Sequence, residues 1–356
     1  MAPTPTPPAI HFSHTSPQQS FRLLELPPDL LELLSSKDAP TLHFKSPPEG
    51  SGGYVNLCTP TQSYFLRQVH SSNSIFLIRP NERLGANQNG KDEAVDNNKF
   101  AAVTAVGLCK STLELQKIKD PESGVRQAMR SRLRVYDVDD MEADEEAMDV
   151  DASERHVDSR DRKNRILVGF FADTPFSTAE CEKAWVEMCG FVHHIRESGK
   201  TVCWVPTAQV LLSLWKKILE GAVLEGIDLG TQFLTRDLWR SVEGSVPKGL
   251  FDAVLQRLMD DSSAAESGRI YSDIKWASLN SDKLVSWTGE VYLQATAPTP
   301  SSAISQPKYL DGWKDLLPEH LRKEASLDKI QNYYRTVGSG ICYRNTAESE
   351  QPKNVA

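Results

Sequence analysis

A lysine at the end of a glycine-bounded stretch is the first place in this sequence where chemistry could reside. Gly85-Ala-Asn-Gln-Asn-Gly90-Lys91-Asp92 stands one residue short of the phosphate loop G-x-x-x-x-G-K-[ST]. That loop needs a hydroxyl after the lysine to hold Mg²⁺ and an amphipathic helix whose free amides face the phosphates. Asp92 would place a negative charge there instead, and Glu93 to Asn98 carries no apolar stripe. The stretch reads as a surface loop, and an ATP-using enzyme is the weakest functional reading. His193 and His194 are adjacent; on a helix they would point about 100° apart and could not share one metal, so they are expected to flank a helix end. Cys58, Cys109, Cys181, Cys189, Cys203 and Cys342 form no C-x-x-C pair and have no histidine at zinc spacing, as expected of structural thiols in a reducing compartment. With no G-x-S-x-G and no H-E-x-x-H either, the expectation is a non-catalytic protein with no cofactor and no metal.

The elements that would position functional side chains fall into two groups. Residues 21–110 are expected to form a small antiparallel β-barrel-like domain. A helix is expected over Pro28 to Leu34, then strands over Thr41 to Lys45, Tyr54 to Cys58 and Phe100 to Leu108. Its most distinctive stretch is Tyr64 to Ile78, which pattern alone makes two strands joined by a turn at the Ser/Asn cluster. Residues 1–20, rich in Pro, Ser, Thr and Gln, are expected to be a disordered tail.

From Ser111 a helix is expected, followed by a disordered acidic linker to residue 163. Arg126, Arg130, Arg132 and Arg134 run directly into the acids and read as solvated linker, the alternative being a basic strip on phosphate. Ile166 to Phe171 could be strand or helix. Ser177 and Glu180 form a capping box, so a helix starts near Thr178. Two more helices are expected after Pro206 and Pro247, with Leu211, Leu214, Trp215 and Ile218 at helical spacing in the first. Lys283 to Leu293 looks β-like, and the chain beyond Gly338 looks frayed. Helices in pairs closed by short strands suggest tandem winged-helix domains over residues 164–245 and 246–305, with a short or incomplete third over 306–340 and a tail over 341–356. The fold class expected is therefore α+β. On the polar helix faces Lys216, Lys217, Arg236 and Arg240 are the candidate DNA contacts, against the plainer reading of a solvated face. The tryptophans, all in the C-terminal half, read as packing.

Charge narrows the partners. Residues 137 to 161 hold twelve Asp or Glu against two Arg, so this one run is more negative than the whole chain's net charge of -8. The remainder is nearly neutral and lacks the basic excess of a dedicated nucleic-acid binder. Apolar content of 39% and 21 prolines suggest globular pieces separated by unpacked ones. The N-terminus has no signal-peptide pattern and no 18-residue apolar run occurs, so a soluble intracellular protein with no membrane partner is expected.

The block Tyr64-Phe65-Leu66-Arg67-Gln68-Val69-His70-Ser71-Ser72-Asn73-Ser74, with its apolar tail, resembles a signature of the fungal sister chromatid cohesion proteins of the defective-in-cohesion family. Leu26 to Leu34, Cys203-Trp204-Val205-Pro206 and Leu310 to Pro318 add matches in the same order. That family supplies a small subunit of the alternative, cohesion-linked replication factor C clamp loader. The resemblance implies a non-catalytic adaptor in the nucleus. Its N-terminal strands would assemble with the second small subunit and the C-terminal tail of the large ATPase subunit, and its winged helices would contact the leading-strand DNA polymerase and DNA. It makes Tyr64, Arg67, Gln68, Ser71, Asn73, Ile75 and Leu77 the candidate subunit-interface residues; in the same family reading the run Ile75 to Ile78 is core, and Arg67, Gln68, Ser71 and Asn73 either fix the turn or face a partner subunit. The alternative is a free-standing winged-helix DNA-binding regulator.

Overall fold

The structure, a computed structural model, describes residues 10–47, 54–80, 102–140, 158–195, 200–259, 270 and 274–344. The Gly85 to Lys91 loop and most of the acidic run lie outside the described residues. The fold is α+β and divides into two compact units: residues up to Ile118, and residues from Lys119 onward together with the short pieces Pro47–Glu49 and Cys58–Ser63.

The N-terminal unit comprises β1 (His11–Ser20), β2 (Leu23–Glu25), α1 (Pro28–Ser35), β3 (His43–Lys45), β4 (Asn56–Cys58), β5 (Ser63–Pro80) and β6 (Ala102–Lys117). One sheet joins its strands in the order β1-β6-β5-β4-β3, with β2 also on β6. It is mixed rather than antiparallel, because β1 and β2 run parallel to β6 along successive halves of one edge while β5 runs antiparallel along the other. Its core is small. Leu30, Leu57, Tyr64 and Leu115 cluster there, and the Tyr64 hydroxyl donates to Asp29 Oδ2 at 2.9 Å.

Three expectations fail here, each for a physical reason. Tyr64 to Ile78 is not a hairpin but part of one 18-residue strand, β5, paired with β6 from Tyr64↔Lys117 to Pro80↔Val103. The Ser/Asn cluster marks a register irregularity between His70 and Ile75; pairing with β6 on both sides of it keeps the chain running on as one strand. Ser111 to Lys117 continues β6, since Leu113 and Leu115 alternate with Thr112, Glu114 and Gln116. The helix that follows, α2 (Pro121–Arg130), is capped by Asp120, whose side chain accepts from the Ser123 amide. Finally, residues 11 to 20 are a strand, not a disordered tail. Mostly exposed, β1 is held through backbone pairing, so beyond Phe12 its sequence carries no hydrophobic pattern.

After α2 the C-terminal unit continues through β7 (Arg134–Tyr136), α3 (Asp158–Ala172), α4 (Thr178–Glu187), β8 (Phe191–His194) and β9 (Thr201–Pro206). Then come α5 (Ala208–Leu224), β10 (Phe233–Leu234), α6 (Thr235–Val242), α7 (Lys248–Leu258) and β11 (Trp276–Ala277). The last stretch holds α8 (Ser281–Thr296), β12 (Ile304–Ser305), α9 (Gln306–Asp315), two 3-10 turns, β13 (Tyr334–Val337) and β14 (Gly340–Tyr343). Its sheets are β7-β9-β8, β10-β11 and β12-β14-β13. One buried cluster runs from Tyr136 to Cys342, across the boundaries expected at 245 and 305.

Local signals explain most of these helices. Both halves of the Ser177–Glu180 capping box form, and α4 starts at Thr178. Thr207 caps α5 and Asn280 caps α8, each accepting an amide three residues on. On α7, Leu250, Phe251, Val254, Leu255 and Leu258 are all fully buried. The open choice at Ile166 to Phe171 resolves to helix, within α3. Lys283 to Leu293 is helical, not β-like: its valines, Trp287 and Tyr292 favour strands, but Leu284, Val285, Trp287, Thr288 and Val291 share one buried helical face. From Gly338 to the last described residue, 344, the chain is not frayed. Gly338, at φ +57°, turns β13 into β14, and Ile341 and Cys342 are fully buried.

Candidate partner-binding site

The buried end of β5 lies at Ser63 and Tyr64, and exposure grows along the strand. Tyr64 belongs to the core, so it holds the strand rather than meeting a partner. Next, Arg67 sits opposite Glu114 on β6 and its Nη2 donates to Glu114 Oε2 at 2.6 Å. Gln68 Nε2 donates to Ser111 Oγ at 3.0 Å. These polar residues, expected at a turn or an interface, are thus cross-strand pairs on the arm itself, and an ion pair this exposed contributes about 0.2–1 kcal/mol. Ser71 and Asn73 fall in the irregularity, with Asn73 exposed.

The apolar run is the larger surprise. Ile75, Phe76, Leu77 and Ile78, expected in the core, are 41%, 44%, 49% and 52% exposed. Successive strand residues point to opposite faces, so both faces of this part of the sheet carry uncovered apolar side chains. β1 extends one of them: Phe12 meets Phe76 edge-to-face with centroids 6.3 Å apart, and Phe12 and Ile10 are themselves exposed. Sequence reasoning missed both because they sit in a tail-like composition; the alternation Ile10, Phe12 was the available signal. Completing the burial of each β5 side chain would contribute about 1 kcal/mol, roughly half the value for a fully exposed one.

In the C-terminal unit Arg236 and Arg240 lie one turn apart on α6, 72% and 64% exposed at the side chain. Asp237 sits between them, 3.9 Å from Arg236 Nε and 3.5 Å from Arg240 Nη1. Lys216 and Lys217 are on α5, which packs against α6 through Gly221, where a Cβ would meet Ser241. Lys216 is exposed and Lys217 half-buried.

The residues weighed for chemistry are placed as follows. His193 and His194 are in strand β8, not at a helix end, and adjacent strand residues project to opposite faces. The His194 ring Nδ1 is 2.7 Å from Thr201 Oγ1, while the His193 carbonyl accepts from Trp204 Nε1 at 3.3 Å. All six cysteines are buried free thiols, and burial pushes Cys189 and Cys203 up to about 12. Trp185, Trp204, Trp215, Trp287 and Trp313 are buried packing residues, whereas Trp276 is exposed. Among the described residues no helix is long and apolar enough to cross a membrane, and no group of three potential ligands could hold a metal ion.

What decides the affiliation is a comparison with protein families, in which the family model described as sister chromatid cohesion protein Dcc1 matches residues 21–351. The chain belongs to the Dcc1 family. Membership gives it a role in sister chromatid cohesion and a place in a cohesion-related complex. No curated protein matches the sequence significantly. For a Dcc1-family chain, a strand arm with apolar side chains open on both faces is the feature most in need of a partner.

Proposed function

We propose that this Dcc1-family chain is a non-catalytic adaptor subunit of an alternative replication factor C clamp loader, supporting sliding-clamp loading and cohesion during replication in the nucleus. The observation that carries the reading is the exposed apolar run Ile75 to Ile78 on β5, continued by Phe12 on β1. A patch of this kind on a sheet marks an interaction surface. In this reading it is covered by the second small subunit and the C-terminal tail of the large ATPase subunit. Co-expression tests it: the wild-type chain should co-purify with those two partners, and Ile75→Asp combined with Leu77→Asp should abolish this while leaving the unfolding of the C-terminal unit unchanged. Equal co-purification of the double variant, or none by the wild type, would sink the proposal.

In the same proposal the C-terminal unit consists of tandem winged-helix domains that meet the leading-strand polymerase. Support comes from a similar order of elements: a long helix, a strand and further helical segments, closed by a single antiparallel bridge, Met259↔Leu279, in the stretch that starts with α5 and by the β13–β14 pair in the stretch that starts with α8. A second reading, direct DNA binding, is favoured by the exposed Arg236 and Arg240 on α6. It predicts a duplex affinity that falls log-linearly with salt and weakens in Arg236→Ala/Arg240→Ala. A salt-independent titration would remove it.

A further inference from the structure

The C-terminal unit contains a cavity of about 650 Å³ that neither reading uses. Its polar lining is unusually rich in guanidinium groups. Arg126 and Arg130 enter it from one face of α2, four residues apart, and Arg257 enters from the last turn of α7. Arg126 shares its charge with Glu187, at 3.5 Å. Among the described residues Arg130 makes no ion pair and the buried Arg257 Nε–H has no acceptor. An orphaned buried donor is destabilising and calls for a specific explanation, a bound ion among them.

The opposite wall explains why the cavity is not simply a closed ion-pair network. Glu290, on α8, faces the same space without forming a salt bridge to any of the three arginines. Burial raises its carboxyl above the usual carboxylate range, an effect that Arg257, Arg126 and Arg130 offset only in part. Trp287 and Val291, one turn apart on α8 and flanking Glu290 in sequence, supply an apolar wall.

We propose that this cavity binds a phosphomonoester, with Arg130 and Arg257 holding its oxygens and the apolar wall receiving the carbon skeleton of its carrier. A carboxylate is saturated by one bidentate arginine, whereas a tetrahedral dianion presents three oxygens and can engage forks arriving from two helices at once. The volume is of ligand-pocket size, several times what a lone phosphate fills, so the carrier enters too. That carrier is either a phosphorylated side chain of a peptide or a free nucleotide.

Calorimetric titration of the full chain tests this with three probes: a phosphoserine peptide, its unphosphorylated form, and AMP. Saturable binding is expected for at least one phosphorylated probe and not for the unphosphorylated peptide. Binding of the peptide alone identifies a phosphoprotein ligand and binding of AMP alone a nucleotide; either supports the site. Arg130→Ala, at an exposed position, should weaken that binding at least tenfold with the urea midpoint of unfolding little changed. Arg257→Lys should do the same, and Glu290→Gln should tighten it several-fold by removing a like charge. No saturable binding by either phosphorylated probe, or an affinity unchanged by Arg130→Ala, overturns the proposal.

Discussion

Glu180 does more than complete a helix cap. Its carboxylate accepts from the Ser63 hydroxyl at 2.5 Å, from the Ser177 hydroxyl at 2.7 Å, and from the backbone amides of both serines. Ser63 and Ser177 are almost completely buried, so removing the acceptor strands donors that water cannot reach. Glu180→Ala should lower unfolding stability by about 2–3 kcal/mol, read as a shift in urea midpoint at constant slope. Glu180→Gln, which keeps acceptor geometry but loses charge, should cost less. The cysteines give a second residue-scale expectation. With Cys189 and Cys203 raised to about 12 by burial, the reactive thiolate is scarce below that pH in the folded state. Alkylation by iodoacetamide at pH 8 should therefore be slow on the native chain and become fast in urea; rapid native labelling of either residue would contradict the packing described.

Between helices, close approach is secured by small residues. On α8 a Cβ at Gly289 would lie 2.6 Å from the Trp313 ring of α9, whose Nε1 donates to the Val285 carbonyl at 3.2 Å. Gly289→Ala should destabilise the chain by about 1–3 kcal/mol and red-shift tryptophan emission as Trp313 loosens. Helices such as α4, α5 and α7 were legible in the sequence because caps and apolar stripes act within a few residues. Strand β5 was not, because nothing local distinguishes a turn at Ser71 to Asn73 from an irregularity; the choice is made by β6, some forty residues later. The same holds for β1, whose order comes from a neighbour's backbone. The candidate interface was half legible: Ile75 and Leu77 were singled out for it, yet Ile75 to Ile78 was read as core, since an apolar run in a sequence does not reveal whether its cover belongs to the same chain. Arg67 illustrates the converse. Its polar side chain suggested a contact outward, and Glu114 already occupies it. Arg67→Glu should then weaken assembly only indirectly, by placing two carboxylates across the β5–β6 ladder, and Glu114→Arg should restore it in the double variant.

At the scale of the whole molecule the two units do not follow one cut in the sequence, because Cys58–Ser63 belongs with the C-terminal unit although it lies between β4 and the bulk of β5. The Pro60 carbonyl accepts from the Ala179 amide at 3.2 Å, beside the Ser63 contacts to Glu180. A fragment starting at Lys119 should thus unfold with about 1–3 kcal/mol less stability than the same unit in the intact chain. Equal stability would show that this short loop is dispensable. During synthesis the arrangement has a further meaning. Ser63 leaves the ribosome 117 residues before Glu180, so the loop emerges long before its acceptor exists. The cost of closing so long an excursion grows only with the logarithm of its length, but the timing is fixed by translation. The C-terminal unit can seat its capping box only on a segment the ribosome has already released, which makes a loop translated before most of that unit one of its components.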